Sequence, residues 1–413
     1  MGTRYDGHCH LFNLKYLVYE ATAIAWDKWT GDYPRGLATD AVRSFGVEED
    51  AGDIWRFLKW LAGLGGALFL DEEAHLDAAL KAAGQAWGGS SNVVAVPLMM
   101  DIYYMLAAPM GPGNSVKETS QGEKVVPEYL RTPALAEVEL KQRLREIGFT
   151  DAIAAEAVSK ARTAAMARSL ERSGDASNSN VETPGFVEQR DALVALKNRR
   201  PGDLMPFFAV DPRRTGVVDA VLKGGFVGRG NGAPFWGIKL YPRLGFDPQV
   251  SALEPLYAWC ETNGIPVTAH CNVNGFPPNF MKGYPDFGAP KRYEAILQKH
   301  PNLKLNLAHF GSENPDWTTD ILRLVQTYPN VYSDFACYSD STEVPAMKAK
   351  VWDQPKVRER LLFGTDYDVV YFTNTIPLDS YYGYFDETSN PGAFSRADLE
   401  QISGQNVEAF LGV

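Results

Sequence analysis

Cysteine, histidine and net positive charge are all scarce in this chain of 413 residues, and each shortage removes a class of protein. The four cysteines (Cys9, Cys260, Cys271, Cys337) are too few and too scattered for a disulfide framework or a zinc-finger knot; reduced thiols in a cytoplasmic protein fit them best. With 40 basic against 51 acidic residues the formal charge is −11, which argues against nucleic acid or an anionic membrane as a partner and leaves a small molecule. A homo-oligomer is compatible with this composition. No apolar run reaches the roughly 18 residues of a membrane span, and no charged-then-apolar segment precedes the first apolar strand pattern, so neither spanning nor secretion is expected. Internal repeats and coiled-coil heptads are missing as well. The glycine-rich stretch Gly224 to Gly230 neither follows a strand nor opens a helix, so it reads as a loop and not as a nucleotide cradle.

The six histidines are unevenly placed. Tyr5-Asp6-Gly7-His8-Cys9-His10-Leu11-Phe12 reads as a strand. Successive side chains of a strand point to opposite faces, so His8 and His10 share one face and Cys9 turns away. Two imidazoles that converge on one point read as half of a metal site. Two more histidines end short apolar runs, His270 after Ile265-Pro266-Val267-Thr268-Ala269 and His309 after Leu303 to Ala308, and a third run, Leu361 to Thr365, ends in Asp366. A parallel β/α barrel gathers the C-terminal ends of its strands at one mouth, where active sites lie. The remaining two histidines read as structural: His75 as an exposed helix residue, His300 as the close of a helix, where a cation suits the dipole.

The rhythm of the chain agrees. Strands are expected at Tyr5 to Leu11, Asn92 to Met100, Leu204 to Val210, Trp236 to Tyr241, Pro266 to His270, Leu303 to His309, Asn330 to Phe335 and Leu361 to Asp366. Helical patterns such as Ser251 to Asn263, Lys291 to His300 and Thr318 to Tyr328 alternate with the later ones. Eight strands alternating with helices predict the α/β class, as a single (β/α)8 or TIM barrel over 1–413. Two long, mainly helical insertions, at about 13–90 and about 106–203, follow strands 1 and 2 and are expected to cover the mouth. Pro133 to Leu170, rich in Ala, Glu, Lys, Arg and Leu, reads as one long or two shorter helices, and the polar stretch 173–180 as the most mobile segment.

In their order and spacing, these elements resemble the amidohydrolase superfamily of metal-dependent barrel enzymes, specifically its decarboxylase-like branch, amidohydrolase 2. The carriers are His8-Cys9-His10, His270, Ala308-His309-Phe310-Gly311, Phe363-Gly364-Thr365-Asp366, Val331-Tyr332-Ser333-Asp334 and the closing Gly404-Gln405-Asn406-Val407-Glu408-Ala409-Phe410-Leu411-Gly412. The resemblance implies that His8, His10, His270 and Asp366 hold one divalent ion, zinc first, with manganese or iron as alternatives. It makes His309 the acid/base or substrate-orienting group beside the ion, and gives Asp366 a second, proton-shuttling role. Lys239, in Gly237-Ile238-Lys239-Leu240-Tyr241-Pro242, is either substrate-facing or, as in two-metal relatives, carbamylated and bridging two ions. Tyr241, Arg243, Asn272, Asn274 and Asp334 lie near the expected mouth, where substrate contacts compete with plain loop structure; Arg243 could grip a carboxylate bidentately. Cys271 and Cys337 are nearby, but no base is paired with either. Three functions remain open: hydrolysis of an amide, lactone or related carbonyl-type bond by metal-activated water, non-oxidative decarboxylation of an aromatic or unsaturated acid, and a non-catalytic barrel that only binds a small molecule or a metal.

Overall fold

The computed structural model describes residues 2–11, 13–30, 47–64, 71–88, 92–107, 109–112, 133–173, 182–230, 232–312, 314–338, 340–367 and 377–413. The polar stretch 174–180 lies outside the described residues. Eight parallel strands run through them: β1 Arg4–Cys9, β2 Val93–Pro97, β3 Phe207–Ala209, β4 Gly237–Leu240, β5 Val267–Ala269, β6 Leu305–Leu307, β7 Val331–Asp334 and β8 Leu361–Leu362. β1 pairs with β2, and β3 to β8 pair in sequence order. The two sheets join through the backbone. Ala95 N–H donates to Asp203 O at 2.9 Å, Met205 N–H to Ala95 O at 2.8 Å and Met99 N–H to Phe207 O at 3.0 Å. On the far side Gly7 N–H donates to Phe363 O at 2.9 Å, and Thr365 and Asp366 N–H to His8 O at 3.0 and 2.8 Å. These bonds tie the segment of the last strand to that of the first, as the strand order of a barrel requires.

The strands are shorter than their apolar runs because the chain leaves extended backbone at their C-terminal ends. His309 (φ 69°), Phe310 (φ 49°), Cys337 (φ 66°) and Asp366 (φ 55°) all turn left-handed there. Such backbone costs about 1–2 kcal/mol at a residue with a Cβ and clusters at functional sites. At the opposite end Phe410, on the closing helix Asn406–Leu411, packs on Phe207 and Tyr332 and plugs the barrel.

Three helices follow β1 (α1 Lys15–Thr30, α2 Val47–Gly63, α3 Glu72–Ala86) and three follow β2 (α4 Pro133–Glu146, α5 Asp151–Ser173, α6 Pro184–Arg199). The Ala- and Leu-rich span therefore forms two helices, broken at Gly148 (φ 114°). One apolar cluster unites Trp26, Phe57, Leu140 and Val158 of these helices with Tyr241, Leu244, Phe276 and Met281 from the loops after β4 and β5, so the inserted helices lie over the mouth. His75 departs from expectation. It is 2 % exposed, with Nδ1 3.5 Å from the Tyr367 hydroxyl. It shares a face with Ala79 and Ala83 at i+4 and i+8, and that face packs inward.

Buried ion pairs tie the insertions to the barrel and to one another. Arg214, fully buried, donates to both Asp101 oxygens at 2.7 and 2.8 Å and to Thr183 Oγ1 at 3.1 Å, and its guanidinium lies 4.0 Å from the centre of the Phe186 ring. Arg168 on α5 clamps Asp27 on α1 at 2.6 and 2.7 Å. α6 approaches α1 so closely that a Cβ on Gly185 would sit 2.3 Å from Tyr16 O. Removing one partner of such a pair strands the other charge, so Arg214→Leu should lower unfolding free energy by about 3–5 kcal/mol, read from equilibrium urea denaturation.

Candidate metal centre

His8 and His10 face the barrel interior, while Cys9 packs outward among Leu76 and Ala79, as a two-residue period requires. The centre is assembled from strand ends. His8 and His10 come from β1, His270 follows β5, His309 follows β6 and Asp366 follows β8. None of the five is more than 4 % exposed. Among the described residues, ligand atoms of His8, His309 and Asp366 lie within 4.8 Å of one another. His10 joins them through Nε2, 3.1 Å from Asp366 Oδ1, and His270 through Nδ1, 3.1 Å from His309 Nε2. His309 thus sits inside the cluster and not merely beside it.

The outward nitrogen of each imidazole meets an acceptor. His8 Nδ1 lies 3.0 Å from Asp334 Oδ2, His10 Nδ1 2.7 Å from Leu98 O, His270 Nε2 2.8 Å from Asn274 O and His309 Nδ1 3.0 Å from Ala336 O. A carbonyl or carboxylate can only accept, so each of these nitrogens carries the proton. A neutral imidazole has one proton to give, so His8, His10 and His309 turn their other nitrogen toward the Asp366 carboxylate, and His270 turns Nδ1 toward His309 Nε2. Burial pushes His10, His270 and His309 down, His309 to about 4, and so keeps them neutral. His8 alone is raised; burial opposes its charge, but the Asp334 and Asp366 carboxylates outweigh it. Burial likewise opposes ionisation of Asp366, yet the charge that His8 takes up beside it holds it well below the usual carboxylate range. His8 Nε2, 3.3 Å from Asp366 Oδ1, is not aligned for a hydrogen bond and has no other partner. Imidazole nitrogens and a carboxylate brought this close are what a divalent cation satisfies, and they are a donor set for zinc or its neighbours. The residues present fit a metal ion.

Around this core the mouth residues divide. Lys239 on β4 is 1 % exposed and its Nζ has no hydrogen-bond partner. Burial pushes it down to about 8, with Asp366 and Asp334 partly offsetting. It borders a small cavity with Tyr241, Met99, Val210, Leu244 and Phe246; Asp101 and Asp211, also on the wall, are neutralised by Arg214 and Arg213. Tyr241 stacks on His270, centroids 4.1 Å apart and rings 10° from parallel, and its hydroxyl accepts from Phe276 N–H at 2.8 Å. A Cβ on Gly275 (φ 117°) would lie 2.3 Å from that hydroxyl and 2.8 Å from the His270 ring, so only glycine lets this loop close over both.

Arg243 turns its guanidinium to the same loop, donating to Val273 O at 2.9 Å, Gly275 O at 3.0 Å, Pro277 O at 2.7 Å and Asn279 Oδ1 at 3.3 Å. It shapes the loop that supplies the acceptor for His270 and holds no donor toward the cluster. Asn272 Oδ1 accepts from Asn274 N–H at 3.0 Å inside that loop. Cys337 is half-buried beside Asp366, and its thiol is pushed well up, away from nucleophilic thiolate. The acceptors Leu98 O, Asn274 O and Ala336 O are backbone atoms, without a sequence signal. Asp334 did carry one, as a carboxylate at the end of a strand.

A family model described as amidohydrolase, the amidohydrolase 2 family, matches residues 130–413. An uncharacterized TIM-barrel protein from Bordetella bronchiseptica is 20 % identical, the match covering 54 % of this chain and 73 % of that one, with a TM-score of 0.39. The 2,6-dihydroxybenzoate decarboxylase from Rhizobium is 15 % identical over 55 % of this chain and 76 % of its own, TM-score 0.41. The 5-carboxyvanillate decarboxylase from Sphingomonas paucimobilis is 11 % identical over 57 % and 75 %, TM-score 0.40. No curated protein matches the sequence.

Proposed function

The chain belongs to the amidohydrolase family, and from that premise we propose that it is a metal-dependent hydrolase of an amide, lactone or related carbonyl-type bond in a small molecule. The observation that carries this reading is the gathering of His8, His10 and His309 around Asp366, with His270 against His309 and every outward ring proton committed to the protein. His8, His10, His270 and Asp366 would hold the ion, zinc before manganese or iron. A bound divalent ion supplies Lewis acidity and brings the pKa of water into the neutral range.

The remaining chemistry falls to the chain's own groups. Asp366, held ionised, accepts a proton from the attacking water as its oxygen bonds to the carbonyl carbon. His309 presents Nε2 as a lone pair, because Nδ1–H is engaged by Ala336 O, so it acts first as acceptor and orienter. The proton then passes to the leaving nitrogen or oxygen as the scissile bond breaks. Tyr241 and the loop locked by Arg243 keep His270 facing inward. The charge of −11 supports a small-molecule substrate over nucleic acid, and no helix among the described residues is long and apolar enough to cross a membrane.

One observation favours a second reading, non-oxidative decarboxylation. The unpartnered Lys239 ammonium at the cavity wall suits a substrate carboxylate. A panel of lactones, amides, esters and aromatic acids, scored in parallel for hydrolysis products and released carbon dioxide, separates the two. Hydrolysis that a chelator abolishes and added zinc or manganese restores is the expected result. Carbon dioxide as the sole product from any panel member would transfer the same residues to the second reading.

A further inference from the structure

Asp334 is fully buried at the end of β7 and takes four donors on its two oxygens. Oδ2 accepts from His8 Nδ1 at 3.0 Å and from Asn306 Nδ2 at 2.7 Å; Oδ1 accepts from the backbone N–H of His309 at 2.9 Å and of Ala336 at 3.1 Å. Its charge is therefore held by direct hydrogen bonds, and although burial opposes ionisation, His8 keeps its pKa far below the ordinary carboxylate value. Three of the four bonds serve the centre. The first makes His8 carry its proton on Nδ1 and turn Nε2 inward. The last two hold the left-handed turn at His309, where φ is 69°, and the segment whose Ala336 O receives the His309 ring proton.

We propose that Asp334 is a positioning residue for the metal centre, setting the tautomer of His8 directly and the placement of His309 through the backbone. Carboxylates behind ligating histidines typically carry 10–100-fold in metal affinity. The inference rests on the metal-binding reading above.

The two sides of Asp334 are chemically unequal, and this makes Asp334→Asn informative. Backbone N–H groups can only donate, so the Asn oxygen must stay against His309 and Ala336, and its NH2 then faces His8 and Asn306. An NH2 facing Nδ1 reverses the His8 tautomer and places a proton on Nε2, inside the cluster. Zinc titration should show affinity in the D334N protein reduced by about 10–100-fold, with far-UV circular dichroism unchanged. In 15N-histidine spectra of the metal-free protein at alkaline pH, assigned by loss of the His8 signals in H8Q, the proton should move from Nδ1 to Nε2. If D334N does not fold, zinc-loaded wild-type protein still tests the idea, because His8 must appear protonated at Nδ1. Zinc affinity of D334N within threefold of wild type, or wild-type His8 lacking an Nδ1 proton, overturns the proposal. Wild-type protein that binds no zinc, manganese or iron overturns the metal reading together with it.

Discussion

Replacing His8 by Ala is expected to abolish metal binding, whereas His309→Asn should leave most of the binding in place and cut turnover by about 10²-fold or more, the usual scale for a lost acid/base group. The difference comes from what each nitrogen faces. His8 Nε2 has no hydrogen-bond partner and points at Asp366, so its removal deletes a donor that nothing nearby replaces. His309 Nε2 is 3.1 Å from His270 Nδ1, so after its loss His270 still presents a lone pair to the same point. Elemental analysis of the dialysed variants, paired with turnover of any active panel substrate, reads both quantities. Equal loss of metal from the two variants would make His309 a direct ligand, as its place with His8 and Asp366 within 4.8 Å permits, and would bring forward two ions on a carbamylated Lys239.

The second large effect has opposite signs for stability and function. Lys239→Met should raise the unfolding free energy of the metal-free protein at pH 7 by about 3 kcal/mol while lowering kcat/KM for a carboxylate-bearing substrate by about 10²-fold. The stability figure follows from the drop from 10.5 to about 8 that burial imposes on this ammonium, at about 1.4 kcal/mol per unit. Below pH 8 the amine is protonated in both the folded and the unfolded chain, and the folded state bears the full cost of a buried charge. Between pH 8 and 10.5 the unfolded chain holds the proton and the folded one does not, so wild-type stability from this group rises with pH across that window. In Lys239→Met this rise is absent. Urea titrations at pH 7 and pH 10 check the sign, and a variant less stable than wild type at pH 7 would show that the ammonium is compensated. The functional loss follows because a buried ammonium without a hydrogen-bond partner attracts an anionic group to the cavity wall. Natural sites hold such costly groups where binding requires them.

Local pattern carried a large part of this molecule. The two-residue alternation in Tyr5 to Leu11 is enough to place His8 and His10 together and Cys9 apart, because strand geometry is a property of neighbouring residues. The apolar runs ending in His270, His309 and Asp366 found their strands for the same reason, although each run was longer than the strand it contains. His75 is buried because it shares a face with Ala79 and Ala83, and its polarity alone does not show this. Arg243 shows the limit of local reading altogether. Its donors go to carbonyls 30 to 36 residues away, which a sequence position beside the mouth does not reveal.

What the sequence by itself determined is therefore the periodic part: a (β/α)8 order, the imidazoles and carboxylate at strand ends, and a family resemblance built on them. The tertiary structure alone decided the proton on each ring. That proton depends on which distant acceptor stands behind it: Asp334 lies 326 residues from His8, and Leu98 O lies 88 residues from His10. It also decided the tie between the first and last strand segments through Gly7 and Phe363, and the docking of the inserted helices on buried ion pairs such as Arg168 with Asp27, 141 residues apart. Contacts at such separations form only when the whole chain has folded, since each must offset the entropy of closing a long loop, and no window of neighbouring residues records them.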